Sequence, residues 1–172
     1  LWIVLAGVKT KVFLFTLRLS YSGKAVHRAY ATASQEAFLD GHRYAFEQLG
    51  GIPTVHIRYD NLKAAVSRVL MGRTRVESDR WVTFRSHYGF DVFYCRPGAD
   101  GAHEKGGVEG EGGRFRRTHT VPMPTVDTIS QLNGYIARCD AKDDHRRVGH
   151  RTTTVGDDFN VEQALLRALP TE

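Results

Sequence analysis

Apolar positions in the first part of the chain recur at a period of two, the spacing of strands, and later switch to the spacing of helices. Leu1–Ala6 is an apolar run, and Gly7-Val8-Lys9-Thr10 reads as a turn. In Lys11–Ser20, Phe13, Phe15, Leu17 and Leu19 share one face, and Val12, Leu14, Thr16 and Arg18 share the other. Such near-continuous apolarity suits a strand towards the middle of a sheet. Ser20–Lys24 is a second turn, after which Val26, Arg28 and Tyr30 alternate with Ala25, His27 and Ala29. The pattern predicts a three-stranded antiparallel meander.

A helix follows, with Ser34 as N-cap, Phe38, His42, Ala45, Phe46 and Leu49 as its stripe, and Gly50-Gly51 as its stop. Pro53 opens a strand in which Val55, Ile57 and Tyr59 alternate with His56, Arg58 and Asp60. Lys63–Met71 fits a short helix, Glu77–Tyr88 a longer one with Trp81, Phe84 and Tyr88 on one stripe, and Phe90–Tyr94 a strand. Val121-Pro122-Met123-Pro124 reads as an extended linker, Asp127–Cys139 as an amphipathic helix, and Val161–Ala168 as a last short helix. Antiparallel strands followed by alternating helices and strands predict an α/β fold. The expected form is a ribonuclease-H-like mixed sheet, three antiparallel strands plus parallel ones, flanked by helices. A core over residues 1–117 and a linker with a helical extension over 118–172 complete the expected organisation.

Composition narrows the partners only slightly. A chain of 172 residues with 41% hydrophobic content can bury a real core, and its net charge of +5 suits a polyanionic partner. The two cysteines, Cys95 and Cys139, form no CxxC, so a zinc site is unsupported and a reducing compartment is expected. His56, His87, His103 and His119 lack HxxxH spacing. The opening apolar run is too short to span a membrane. Because it starts at Leu1 rather than Met, the chain reads as a fragment.

The candidate chemistry lies in two acids. Asp60 would close a central strand, where open α/β sheets place their sites, and Glu109 stands in Lys-Gly-Gly-Val-Glu, 109 − 60 = 49 positions on. Carboxylates are hard oxygen ligands of the kind that gather Mg²⁺ with substrate phosphates. Taken singly, each acid reads more readily as a solvated surface residue than as a ligand. Glu104 and Glu111 compete with Glu109, Glu104 reading as a helix-start acid and Glu111 pointing to a different helix face. Lys105, Arg114, Arg116 and Arg117 surround the motif and are placed to grip phosphates; Lys63, Arg68, Arg73 and Arg75 follow Asp60. A solvated face is the alternative for both groups. Gly106, Gly107, Gly110, Gly112 and Gly113 each cost a helix about 1 kcal/mol, so a helix here needs packing to hold it.

Five segments carry a resemblance to a known family: Leu19–Ser22, Gln35–Phe38, Arg58–Lys63, Phe84–Tyr88 and His103–Arg117. They resemble the IstA-type transposases of bacterial insertion sequences, within the Asp-Asp-Glu transposase and retroviral integrase superfamily. The resemblance runs from Leu1 to about Glu172. It implies that Asp60 is the second catalytic and metal-binding acid and Glu109 the third. In the family the first lies in a Val-Asp-Trp/Phe-Gly segment, which would fall upstream of Leu1. The implied activity is DNA strand transfer by two Mg²⁺ or Mn²⁺ ions, which stabilise the attacking and leaving oxygens. The implied partners are insertion-sequence ends and target DNA, further copies of the chain in a multimer, and an IstB-type helper ATPase, all in the bacterial cytoplasm and without a membrane. Without its first acid, the chain alone is expected to be inactive. A non-catalytic DNA-binding or dimerising remnant and an unrelated ribonuclease-H-like nuclease are the alternatives.

Overall fold

The computed structural model describes residues 1–59, 66–69, 75–95 and 102–171, and along 66–69, 75–77 and 102–109 it describes the backbone alone. The chain forms two compact units. One comprises Leu1–Ala33 with Gly107–Glu162, the other Ser34–Gly106 with Gln163–Glu172.

In the first unit, β1 (Trp2–Leu5) and β2 (Val8–Lys11) form an antiparallel hairpin. Its two-residue loop places both Ala6 (φ 49°) and Gly7 (φ 81°) in the left-handed region, as the tightest hairpin turns require. β3 (Phe13–Arg18) and β4 (Ala25–Tyr30) form a second hairpin, in register from Phe13 opposite Tyr30 to Arg18 opposite Ala25. The expected three-stranded meander is therefore two hairpins. The turn falls at Ala6-Gly7, so Val8–Lys11 pairs with β1 instead of forming the turn. The short β9 (Thr125–Val126) joins the other edge of β1 in parallel, through Val4 N–H to Pro124 O and Ala6 N–H to Val126 O, both 2.9 Å.

Helix α3 (Ala102–His119) runs unbroken through its glycines, and α4 (Ile129–Asp143) starts at Thr128, whose side chain accepts from the Gln131 N–H. Packing holds α3, as its composition demands: Phe115 is buried with Ile3 of β1, Val12 between β2 and β3, Ala29 of β4, and Leu132, Ile136 and Cys139 of α4. The stripe of α4, expected beyond the core, thus belongs to it. Asn133 of α4 clamps β4 at Ala29, accepting from its N–H at 2.7 Å and donating to its carbonyl at 3.0 Å. The last helix, α5 (Val155–Gln163), begins earlier than Val161. Thr154 and Asp157 cap it reciprocally, each side chain accepting from the other's N–H.

In the second unit, α1 (Gln35–Leu49) has Ser34 as N-cap and Gly50 in the left-handed conformation at its end. α2 (Asp79–Tyr88) repeats the design with Ser78 and Gly89. β5 (Ile57–Tyr59) and β8 (Val92–Tyr94) pair in parallel, Tyr59 opposite Tyr94. Val66–Val69, expected in a short helix, is strand β6 and pairs antiparallel with β7 (Arg75–Glu77). Its β-branched valines favour that outcome. Phe46, Leu49, Ile52 and Trp81 are fully buried, and Ile52 exchanges both backbone hydrogen bonds with Arg167. The observed class is mixed α/β. Among the described residues the strands form small ladders in the orders β2-β1-β9, β3-β4, β5-β8 and β6-β7.

Candidate functional site

The strand that leads to Asp60 is fixed from behind by its last residue. Tyr59 is buried at the carboxyl end of β5, and its hydroxyl donates to His42 Nε2 at 2.7 Å. The Phe38 carbonyl can only accept, so His42 carries its proton on Nδ1 and donates it there, 2.8 Å away. Burial drives the His42 pKa down from 6.5 to about 4, against the opposing pull of the Phe38 carbonyl, so the ring is neutral. Burial likewise pushes the Tyr59 phenol up, which keeps its proton available to His42. The Cys95 N–H donates to the Tyr59 carbonyl at 2.9 Å, securing the strand on its other side. Asp60 itself lies outside the described residues, as do Lys63 and Arg73, while Arg68 and Arg75 fall where the backbone alone is described.

Lys105 and Glu109 fall in the first half of α3, where the backbone is described and the side chains lie outside the described part. Glu104 is in the same position. Glu111 is resolved fully, and it faces inward. Its carboxylate is buried and receives Arg114 on both oxygens, Nη2 on Oε1 and Nε on Oε2 at 3.1 Å, while Arg146 Nη2 joins on Oε2 at 3.2 Å. Burial raises the Glu111 pKa, but the Arg114 hydrogen bond and the charges of Arg114, His27 and Arg146 outweigh it, and the net shift is downward. This carboxylate is ionised and fully engaged.

Arg114 also donates to Asp143 at 2.7 Å, and these two acids hold its guanidinium firmly protonated against the cost of burial. Of the arginines expected to reach phosphates, Arg114 is thus turned into the protein. Arg116 and Arg117 are exposed, Arg116 Nε donating back to the Gly112 carbonyl.

The cluster extends further than the spacing of residues suggests. His27 of β4 stacks on Phe115 with ring centroids 4.0 Å apart and places Nδ1 2.6 Å from Asp140. Its Nε2 stands 3.6 Å from Glu111. His119 meets Asp143 at 2.9 Å, and Lys24 meets Asp144 at 2.7 Å. These polar contacts tie α3, α4 and β4 with its preceding turn to one another. Arg146, beyond the end of α4, serves the same purpose through Glu111. Sequence separations from 3 to 120 residues hide the cluster, and only Glu111 with Arg114 stands at a readable helical spacing. Among the described residues no group of three His, Cys, Asp or Glu side chains could hold a metal ion.

Comparison with known proteins adds what the resolved side chains do not. Over 167 residues the chain is 34% identical to the transposase for insertion sequences IS1326/IS1353 of Pseudomonas aeruginosa, matching 96% of this chain and 32% of that protein. The chain is related to the insertion-sequence transposases. A transposase of Aminobacter aminovorans is 33% identical over 139 residues, which is 80% of this chain and 27% of the relative. The chain thus spans about a third of the length of the curated transposases it matches. No family model matches it. In structure it is similar to a chain of the simian T-cell lymphotropic virus intasome in complex with PP2A regulatory subunit B56 gamma. That likeness has a TM-score of 0.66 at 14% identity and covers all of this chain and 55% of the other. The likeness is one of fold. Among the described residues no helix is long and apolar enough to cross a membrane.

Proposed function

We propose that this segment is the ribonuclease-H-like catalytic core of an IstA-type transposase that performs metal-dependent DNA strand transfer. The observation that carries the reading is 34% identity over 167 residues to an insertion-sequence transposase, a span that includes most of the chain. In sequence Asp60 follows Tyr59, the buried, doubly anchored last residue of a parallel strand, and the ends of such strands are where open α/β sheets place their sites. On α3, residue 109 lies two positions, about 200° of helical turn, from the inward-facing Glu111. Glu111 is already neutralised by two arginines, so it has no free oxygen charge to offer and leaves the catalytic role to Glu109.

Asp60 and Glu109 are hard oxygen donors, which fits Mg²⁺ or Mn²⁺ and not a soft metal. Two such ions, when bound, supply charge neutralisation at the scissile phosphate. The chain's own part is to hold the acids still: the His42–Tyr59 hydrogen bond fixes the strand before Asp60, and the Glu111–Arg114–Asp143 ion pairs fix the helix that carries Glu109. Arg116 and Arg117 are the cations left to meet DNA, with Lys105 earlier on the helix. The complete transposase would join insertion-sequence ends to target DNA as a multimer with an IstB-type ATPase, in the bacterial cytoplasm.

In a transposase carrying this segment, Asp60→Asn or Glu109→Gln is expected to lower strand transfer about a thousand-fold, several kcal/mol of transition-state stabilisation, at unchanged DNA affinity. Glu111→Gln should act on stability instead. Strand transfer that survives either of the first two substitutions would sink the assignment.

A further inference from the structure

The first 35 residues contain Lys9, Lys11, Arg18, Lys24 and Arg28 and not one carboxylate; Glu36 is the first acid of the chain. Two of these cations stand on the solvent side of the β1–β2 hairpin. The ladder sets Trp2 opposite Lys11 and Val4 opposite Lys9, and directly opposed residues share a face. Ile3 points the other way, into the core. Lys9 Nζ lies 5.3 Å from the centre of the Trp2 ring, and Lys11 Nζ lies 5.6 Å from that of Phe13. All four side chains are exposed, Trp2 by 50%. Among the described residues neither lysine forms an ion pair. The hairpin is closed by a two-residue turn, which gives this face a fixed shape.

The same surface continues onto α3. The Leu1 amino nitrogen is depressed in pKa first by burial and then by the positive charges of Arg116 and Lys11. Arg116, an exposed cation of the helix, therefore shares the field of the hairpin lysines.

We propose that the solvent face of the β1–β2 hairpin, with Trp2, Lys9, Lys11 and Phe13, docks an unpaired strand of DNA. The inference rests on the nucleic-acid reading of the function and adds a surface to it. Each ring now carries an ammonium on its face, which partly shelters it from water. A phosphate draws the ammonium off by full charge attraction, and the freed ring face then stacks on a base. Duplex DNA shows only base edges in its grooves, whereas an unpaired strand offers base faces, so the exposed faces of Trp2 and Phe13 select the single strand. Without a polyanion the lysines and rings satisfy each other.

The chain has two tryptophans, and the other, Trp81, is fully buried in the second unit, so quenching by DNA reports on Trp2. The test is a titration of the chain with a single-stranded oligonucleotide, following both labelled-DNA anisotropy and tryptophan emission over a range of salt. Emission is expected to fall as DNA binds. Lys9→Gln/Lys11→Gln should lower the salt slope by about 1.4, at about 0.7 for each phosphate contact, and Trp2→Ala should weaken binding about ten-fold. All three residues are exposed, so these variants should keep the fold. Binding with unchanged emission and an unchanged slope in the double variant would overturn the hairpin assignment and leave the DNA reading standing. A duplex that binds and quenches as well as the single strand would overturn the preference for unpaired DNA. Failure to bind any DNA would overturn both readings.

Discussion

His42 makes the stability of the second unit depend on pH in a window that can be stated in advance. The ring is fully buried, neutral, and held between the Phe38 carbonyl and the Tyr59 hydroxyl. Unfolded, it takes up a proton near pH 6.5; folded, not until about pH 4. Between these values the unfolded state holds the extra proton, so stability rises with pH. The contribution is complete above about pH 6.5 and is lost as pH falls to about 4. A difference of roughly 2.5 pKa units at 1.36 kcal/mol each gives about 3 kcal/mol, with a limiting slope of about 1.4 kcal/mol per pH unit. Against an ordinary total stability of 5–15 kcal/mol, that is a large share. The assay is urea unfolding followed by the emission of buried Trp81, run from pH 7.5 to 4 on the chain and on His42→Gln. Other groups titrate in the same range, so the informative quantity is the difference between the two proteins. The substituted chain should be less stable at pH 7 and should lose that deficit as the pH falls, the curves converging near pH 4. Parallel curves across the window would refute the buried neutral imidazole.

Two further perturbations follow from the packing. Glu111→Gln leaves Arg114 and Arg146 facing a neutral amide in a buried site and should cost about 3 kcal/mol in urea unfolding. In the unsubstituted chain the same carboxylate, with its lowered pKa, contributes fully above about pH 4.5, and that contribution fades as pH falls through its folded value. At Gly51 a Cβ would stand 2.7 Å from Leu166 Cβ and 2.8 Å from the Arg167 carbonyl, so Gly51→Ala should destabilise by about 2 kcal/mol. Gly110→Ala, in open space on α3, should instead stabilise by about 1 kcal/mol, and thermal melts of the two variants should move in opposite directions.

What the sequence revealed depended on how local the cause was. Helices α1 and α2 were legible because Ser34 with Gly50, and Ser78 with Gly89, cap them within the segment itself. The alternation of β3 and β4 was equally plain. Local rules failed where a neighbour decided the outcome. Val66–Val69 has an acceptable helical pattern but finds a partner strand in Arg75–Glu77. The two-residue turn at Ala6-Gly7 places a non-glycine residue at positive φ, and a reader of turn chemistry would not put it there. At the candidate site the motif named Asp60 and Glu109, but it could not separate Arg114 from Arg116 and Arg117. Arg114 pairs with Asp143, 29 residues on, which no spacing rule anticipates.

The first unit is built from the two ends of a loop in the chain. Leu1–Ala33 must wait for Gly107–Glu162, and the second unit's main segment is made in between. At translation speeds of about 5–20 residues per second, the 129 residues from Ala33 to Glu162 take roughly 6–26 seconds to appear. For that interval the hairpins β1–β2 and β3–β4 leave the ribosome without the helices that will cover Ile3, Val12 and Ala29. A nascent chain with uncovered strands is open to pairing with its neighbours on the same messenger. The yield of correctly folded protein should therefore respond to synthesis rate and to chaperones that shield emerging strands, even where the finished fold is stable.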